Sequence, residues 1–239
     1  TRHYSGHHGG QGCTSNPEVV NVFAEKCKQY FRDHADRTMC SVSPNDGGGF
    51  CTCADCTALD LEQWPEDSSR AGHPQMADRM ITFYNQIAEQ VAGEFPDRYL
   101  GAYVYSYYVA PPLKVKPHKN LALVLAINSA WRGGGDFWTE DCEIIDGWCA
   151  AHHYMFMYDI FYRSTQAMGL PAPIVKHTIE RIKHLKDVGM RGGYLYIGPT
   201  WEVLGPGAYV MARLLWDADA DAEQIVTEYY GDPTARPPA

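Results

Sequence analysis

The seven consecutive apolar residues Leu121 to Ile127 set the strongest limit on how this chain folds. A helix that crosses a bilayer takes about 20 residues, so the run is too short to span a membrane. With an apolar side chain at every position it has no solvent face either. Such runs are buried on both sides, as the strands of parallel sheets are. Leu121 to Asn128 is therefore expected to be a buried strand.

Helical spacing surrounds it. Asn16-Pro17-Glu18 reads as N-cap, N1 proline and first-turn acid, and apolar residues recur at Val20, Phe23, Cys27, Tyr30 and Phe31, predicting a helix over 17–34. Thr38 to Ser43 is a short apolar stretch stopped by Pro44-Asn45-Asp46-Gly47, a strand and then a turn. His73-Pro74 opens a second helix with Met76, Met80, Phe83, Tyr84, Ile87 and Val91 on its inner face, closed by Gly93 and Pro96. Leu100 to Ser106, Tyr154 to Tyr158 and Gly193 to Ile197 are further strands. A short helix over 142–149 and one carrying Ile174, Val175, Ile179, Ile182 and Leu185 separate the later ones, and helices return at Pro206 to Trp216 and Ala222 to Tyr230.

Strands alternating with helices at this cadence make an α/β chain of parallel βα units with right-handed crossovers. Five strands cannot close an eight-stranded barrel. The expected architecture is thus the C-terminal portion of a (β/α)8 TIM-type barrel over residues 1–239, with about five βα units present and the earlier strands upstream. An open, doubly wound sheet is the competing arrangement.

At 239 residues the chain suffices for one large domain. A net charge of -9 argues against a nucleic-acid partner, because phosphate binders concentrate Lys and Arg. The opening Thr1-Arg2-His3-Tyr4 carries no charged n-region or apolar h-region, so no signal peptide is read in it. Aromatic residues make up 13% of the chain, with 16 Tyr and 6 Trp, which suits stacking against sugar rings.

In a barrel, reactive groups collect where strands end. Those ends carry Asn45-Asp46, Tyr105, Asn128 with Trp131, Tyr158-Asp159 and Trp201-Glu202, and the opening loop carries His7-His8. Glycosidic cleavage needs an acid for the departing oxygen, and either a second carboxylate or a neighbouring group on the substrate at the cationic centre. Asp46 is the leading acid. Beside it, the Asn45 amide suits substrate-assisted hydrolysis of an N-acetylhexosaminide, in which the acetamido oxygen attacks and the amide orients it. Pro-Asn-Asp-Gly is also an ordinary turn sequence. Asp159 fits a sugar-hydroxyl ligand or an N-cap equally, and Glu140-Asp141 fits the acidic first turn of a helix. His7, His8, Tyr105, Trp131, Tyr158, Asp159, Trp201 and Glu202 are the candidate substrate-binding residues for an oligosaccharide or glycan.

Cys51-Thr52-Cys53-Ala54-Asp55-Cys56 has thiols close enough for zinc if a fourth ligand arrives from elsewhere, but a disulfide or plain buried thiols fit it too. No complete metal set is read, and no cofactor is expected. Gly47-Gly48-Gly49 and Gly133-Gly134-Gly135 lack the Lys-Ser/Thr ending of a phosphate loop, and His152-His153 lacks the spacing of a metalloprotease helix.

The string Ser41-Val42-Ser43-Pro44-Asn45-Asp46 running on to the CxCxxC cluster, together with Gly205-Pro206-Gly207 through Leu214-Leu215-Trp216-Asp217, resembles the DUF4838 family. Asn16-Pro17-Glu18-Val19, the strand into Tyr158-Asp159, and Asp187 to Gly192 are similar landmarks in the family's order, so the resemblance spans nearly the whole chain. It implies a barrel of the glycoside hydrolase family 163 kind, whose described activity is an endo-β-N-acetylglucosaminidase on complex N-glycans, with secretion or a periplasmic location for many members. Many family sequences carry a Glu on the strand where this chain has Leu195-Tyr196-Ile197. That departure keeps a non-catalytic carbohydrate-binding barrel in view. A separate alternative is an α-glucuronidase-like hydrolase, which would want a cationic carboxylate clamp, with Arg132 and Arg163 as the nearby candidates.

Overall fold

Asn16 begins the fold's first helix, α1 (Pro17–Asp33), with its Oδ1 accepting the Glu18 N–H at 2.9 Å while Pro17 fills the position that needs no donor. The computed structural model describes residues 10–64, 66, 72–127, 136–160, 174–196 and 201–231. Two compact units divide the chain, Thr1–Leu125 and Ala126–Ala239.

In the first unit, α1 buries Val20, Ala24, Cys27 and Phe31, a stripe at helical spacing. It packs on α3 (Ala77–Ala92), where Phe23 meets Phe83 edge to face with centroids 5.4 Å apart. Between them come strand β1 (Met39–Ser41) and a single helical turn, α2 (Ala54–Thr57). Strand β2 (Tyr99–Val104) pairs in parallel with β1, Ser41 opposite Gly101, and with β3 (Leu121–Ala126), Leu100 opposite Leu121. Leu100, Ala102 and Val104 are buried on one side of β2, against α3, while Tyr99 and Tyr103 on the other side stay half-buried. Asp78, 2% exposed, gathers the loop before β3: its carboxylate accepts the backbone N–H groups of Leu113, Lys114 and Val115 at 2.9–3.3 Å.

In the second unit, α4 (Asp136–Ala151) leads to β4 (Met155–Ile160), α5 (Ile174–Asp187), β5 (Gly193–Tyr196), α6 (Trp201–Trp216) and α7 (Ala222–Gly231). Strands β4 and β5 are parallel, Met157 opposite Gly193 and Ile160 opposite Tyr196. Period-two alternation buries Met155, Met157 and Asp159 and leaves Phe156 and Tyr158 half-buried on the opposite face. On that face Tyr158 stacks on Tyr194 at 4.8 Å and Tyr154 meets Phe156 at 5.1 Å.

Every strand pairing described here is parallel, and helices alternate with the strands, so the α/β class expected from the cadence is what forms. Several boundaries differ from the sequence reading. The helix expected to open at His73-Pro74 starts at Ala77, because Pro74 instead forms an antiparallel bridge with Gln63. The short helix expected over 142–149 runs from Asp136 to Ala151. Glu140 and Asp141 therefore lie past its first turn, and Asp141 is fully buried. The helix expected from Pro206 begins five residues earlier, at Trp201, and carries Pro206 inside it.

Candidate functional site

The segment that follows β1 continues alongside β2 past the ladder. Val42 N–H donates to the Gly101 carbonyl at 2.9 Å, and Ser43 Oγ accepts the Tyr103 N–H at 3.0 Å. Pro44 then turns the chain outward, and Gln11 fixes the turn. Gln11 Oε1 accepts the Asn45 N–H at 3.1 Å, Gln11 Nε2 donates to the Asn45 carbonyl at 2.6 Å, and Gln11 N–H donates to the Gly49 carbonyl at 3.3 Å. Gly47 and Gly49 take φ of 99° and 80°, values that suit glycine, so the loop closes tightly around this glutamine.

This geometry leaves the Asn45 and Asp46 side chains exposed. Asp46 Oδ1 accepts twice, from the Gly47 N–H at 3.0 Å and from the Tyr105 hydroxyl at 3.0 Å. Oδ2 has no hydrogen-bond partner among the described residues, and neither has the Asn45 side-chain amide. Tyr105 directly follows the end of β2, just before Ser106, whose φ of 55° swings the chain into a 3-10 turn over Ser106–Tyr108. Tyr105 packs edge-on against Tyr108 at 5.2 Å. Burial first, and then the hydrogen bond to Asp46, push the Tyr105 phenol above its ordinary range, so it stays a protonated donor. Asn45, Asp46 and Tyr105 thus meet at the C-terminal ends of two neighbouring parallel strands. A cavity of about 80 Å³ behind Asn45, lined by Gln11, Ser43, Phe50 and Met80 among others, has room for water and not for a hexose. A ligand of sugar size would have to lie on the open side of the pair.

The remaining candidates fall elsewhere. Tyr158 belongs to the aromatic face of β4. Asp159 is fully buried, and its Oδ2 accepts from Arg181 Nη1 at 2.6 Å, a core ion pair between β4 and α5. His7, His8, Trp131, Asn128, Arg132 and Arg163 lie outside the described residues. Trp201 and Glu202 open α6, and only their backbone is described.

Sequence reasoning missed one participant of a second constellation. The Sγ atoms of Cys13, Cys51, Cys53 and Cys56 lie within 4.8 Å of one another. Cys13 stands in the turn before α1, where its carbonyl accepts the Asn16 N–H, and Cys53 and Cys56 flank and occupy α2. Ser15 Oγ is 3.1 Å from Cys56 Sγ and Thr14 Oγ1 is 3.4 Å from it. Against burial, which raises it, hydrogen bonds from Ser15 and Thr14 and the Arg79 charge bring the Cys56 thiol down to about 6. The only signal for Cys13 in the sequence is that CxCxxC is one thiol short of four.

A parallel α/β protein that presents an amide and a carboxylate at its strand ends, beside a four-cysteine cluster, is what the geometry defines. The chain matches the family described as "Domain of unknown function (DUF4838)" over residues 2–234, and it belongs to that family. No curated protein matches it.

Proposed function

We propose that this chain is part of a (β/α)8 glycoside hydrolase, of the family 163 kind, that cleaves β-N-acetylglucosaminides of complex glycans and acts outside the cytoplasm, secreted or in the periplasm. The observation that carries this reading is the Asp46 carboxyl. One of its oxygens is held by Tyr105 and Gly47 while the other faces outward, next to an amide with no other described task. A general acid needs this arrangement: a fixed orientation and an oxygen open to the leaving group.

In the proposed reaction the substrate's acetamido oxygen attacks the anomeric carbon as the glycosidic C–O bond breaks. Asp46 gives its proton to the departing oxygen, and Asn45 orients the acetamido group. Water then opens the cyclic intermediate and returns a proton to Asp46, so configuration is retained. The Tyr105 hydrogen bond keeps the carboxyl aimed throughout. The aromatic face of Tyr158 and Tyr194 offers flat surface of the type sugar rings stack on.

A second reading, a carbohydrate-binding barrel without turnover, rests on Tyr196, 49% exposed on the strand where the family resemblance leads one to expect a Glu. The test expresses the complete gene and incubates the protein with a complex N-glycan and with an aryl N-acetylglucosaminide. Release of sugar, reduced about 10²- to 10⁴-fold by Asp46→Asn, supports the mechanism. An unchanged rate in that variant removes Asp46 as the acid, and glycan binding without cleavage supports the second reading.

A further inference from the structure

Four thiols from two stretches of chain, with Cys13 and Cys51 38 positions apart, converge in one place although they make no disulfide. Cys13 Sγ lies 3.6 Å from Cys56 Sγ and 3.8 Å from Cys53 Sγ. A disulfide would bring two sulfurs to about 2.05 Å. Zinc–sulfur bonds of about 2.3 Å directed to tetrahedral corners set the sulfurs about 3.8 Å apart. These two spacings match the second geometry, and all four sulfurs lie within 4.8 Å of one another.

We propose that Cys13, Cys51, Cys53 and Cys56 bind a single zinc ion in a closed structural site. Four thiolates are the soft donor set that selects zinc over magnesium or calcium, and with all four corners filled by protein no position remains for water or substrate.

The surroundings suit a site of net negative charge. Ser15 Oγ, 3.1 Å from Cys56 Sγ and 3.4 Å from Cys13 Sγ, supplies a hydroxyl to the sulfurs. Arg79, 1% exposed on α3, stands one hydroxyl further out. Its Nε donates to Thr14 Oγ1 at 2.9 Å, its Nη2 to the Cys51 carbonyl at 2.7 Å, and its Nη1 to Asp60 at 3.3 Å. A buried guanidinium at this spot offsets the charge that four thiolates leave after binding a divalent ion, and it ties both cysteine-bearing stretches to one helix. The ion would lock the turn at 13–15 to the loop at 51–56, and Gln11, two residues before Cys13, reaches Asn45 from there. The metal assignment stands independently of the hydrolase reading, because it is read from metal content.

The test purifies the protein from its complete gene under reducing conditions and measures metal by mass spectrometry. About one zinc per chain is expected. Cys13→Ser and the exposed-site variant Cys53→Ser should each lower zinc retained against a chelator at least tenfold, while Cys142→Ser, outside the cluster, leaves it unchanged. Ser15→Ala should weaken binding about 10- to 100-fold, as loss of a supporting hydrogen bond does. Since a thiol variant can fail to fold, metal-free native protein is also titrated with cobalt. Sulfur-to-cobalt charge transfer with tetrahedral visible bands supports the site, and the absence of both overturns it. Full zinc retention in Cys13→Ser, or stoichiometric iron in place of zinc, also overturns it.

Discussion

Gln11 holds Asn45 by both of its backbone polar groups, accepting from the N–H at 3.1 Å and donating to the carbonyl at 2.6 Å. The two residues are 34 positions apart, so a segment from before α1 determines where the residues after β1 point. Gln11→Ala removes both hydrogen bonds from an exposed site, where water takes their place. The expected cost is about 1 kcal/mol, a fall in melting temperature of about 2–4 °C. Turnover should fall further than stability, because Asn45 loses its support. Thermal unfolding followed by circular dichroism, with initial rates on an aryl glycoside, checks both, and an unchanged melting temperature would show that the clamp contributes nothing.

Tyr105 donates to the carboxylate of Asp46, and Tyr105→Phe deletes that donor while keeping the ring against Tyr108. A hydrogen bond to a charged group contributes about 1.5–3 kcal/mol, so kcat is expected to fall roughly ten- to hundredfold with little change in the fold. Burial and Asp46 raise the phenol's pKa, so it remains protonated below the ordinary tyrosine range and loses its proton only above it. The basic limb of the wild-type pH profile should therefore not come from Tyr105. A limb at neutral pH that disappears in Tyr105→Phe would contradict the donor role.

The strands were legible because their apolar runs have no other use. Leu121 to Ala126 and Gly193 to Tyr196 form close to where the sequence places them. Residues at β-strand ends were legible for the same reason, and Asn45, Asp46 and Tyr105 do come together. What periodicity cannot carry is contact across long stretches of chain. Cys13 reads as a lone cysteine until the fold sets it beside Cys56, and Asp159 looks like any acid at a strand end until Arg181 from α5 meets it. Helix ends failed where local signals conflict. Pro206 looks like a first-turn residue, yet α6 continues on its N-terminal side and forgoes the hydrogen bond a proline cannot make.

The Asp159–Arg181 pair is 2.6 Å long with both side chains almost wholly buried. Removing one partner strands the other charge in the core, so Asp159→Asn is expected to destabilise by about 3–5 kcal/mol. The double substitution Asp159→Leu with Arg181→Met removes both charges and should recover most of that loss. Urea unfolding of the wild type, Asp159→Leu, Arg181→Met and the double variant measures the coupling, and Asp159→Asn is compared with them. If Asp159 instead serves a sugar hydroxyl, Asp159→Asn will raise KM with little change in unfolding midpoint, and the ion-pair account fails.

Gly193 and Gly101 test how closely strands approach without a side chain. A Cβ at Gly193 would lie 2.8 Å from the Met157 carbonyl oxygen and 3.1 Å from Met157 Cβ, both fixed by the β4–β5 ladder. A Cβ at Gly101 would also meet an atom at 2.8 Å, but that atom is Met39 Sδ, the far end of a flexible side chain that is 40% exposed. The backbone cannot yield as the thioether can. Gly193→Ala should therefore cost about 1–3 kcal/mol, the usual range for overpacking, while Gly101→Ala should cost under about 1 kcal/mol as Met39 swings aside. Chemical denaturation of the two variants decides it, and equal losses would mean that the β4–β5 ladder gives as easily as a methionine side chain does.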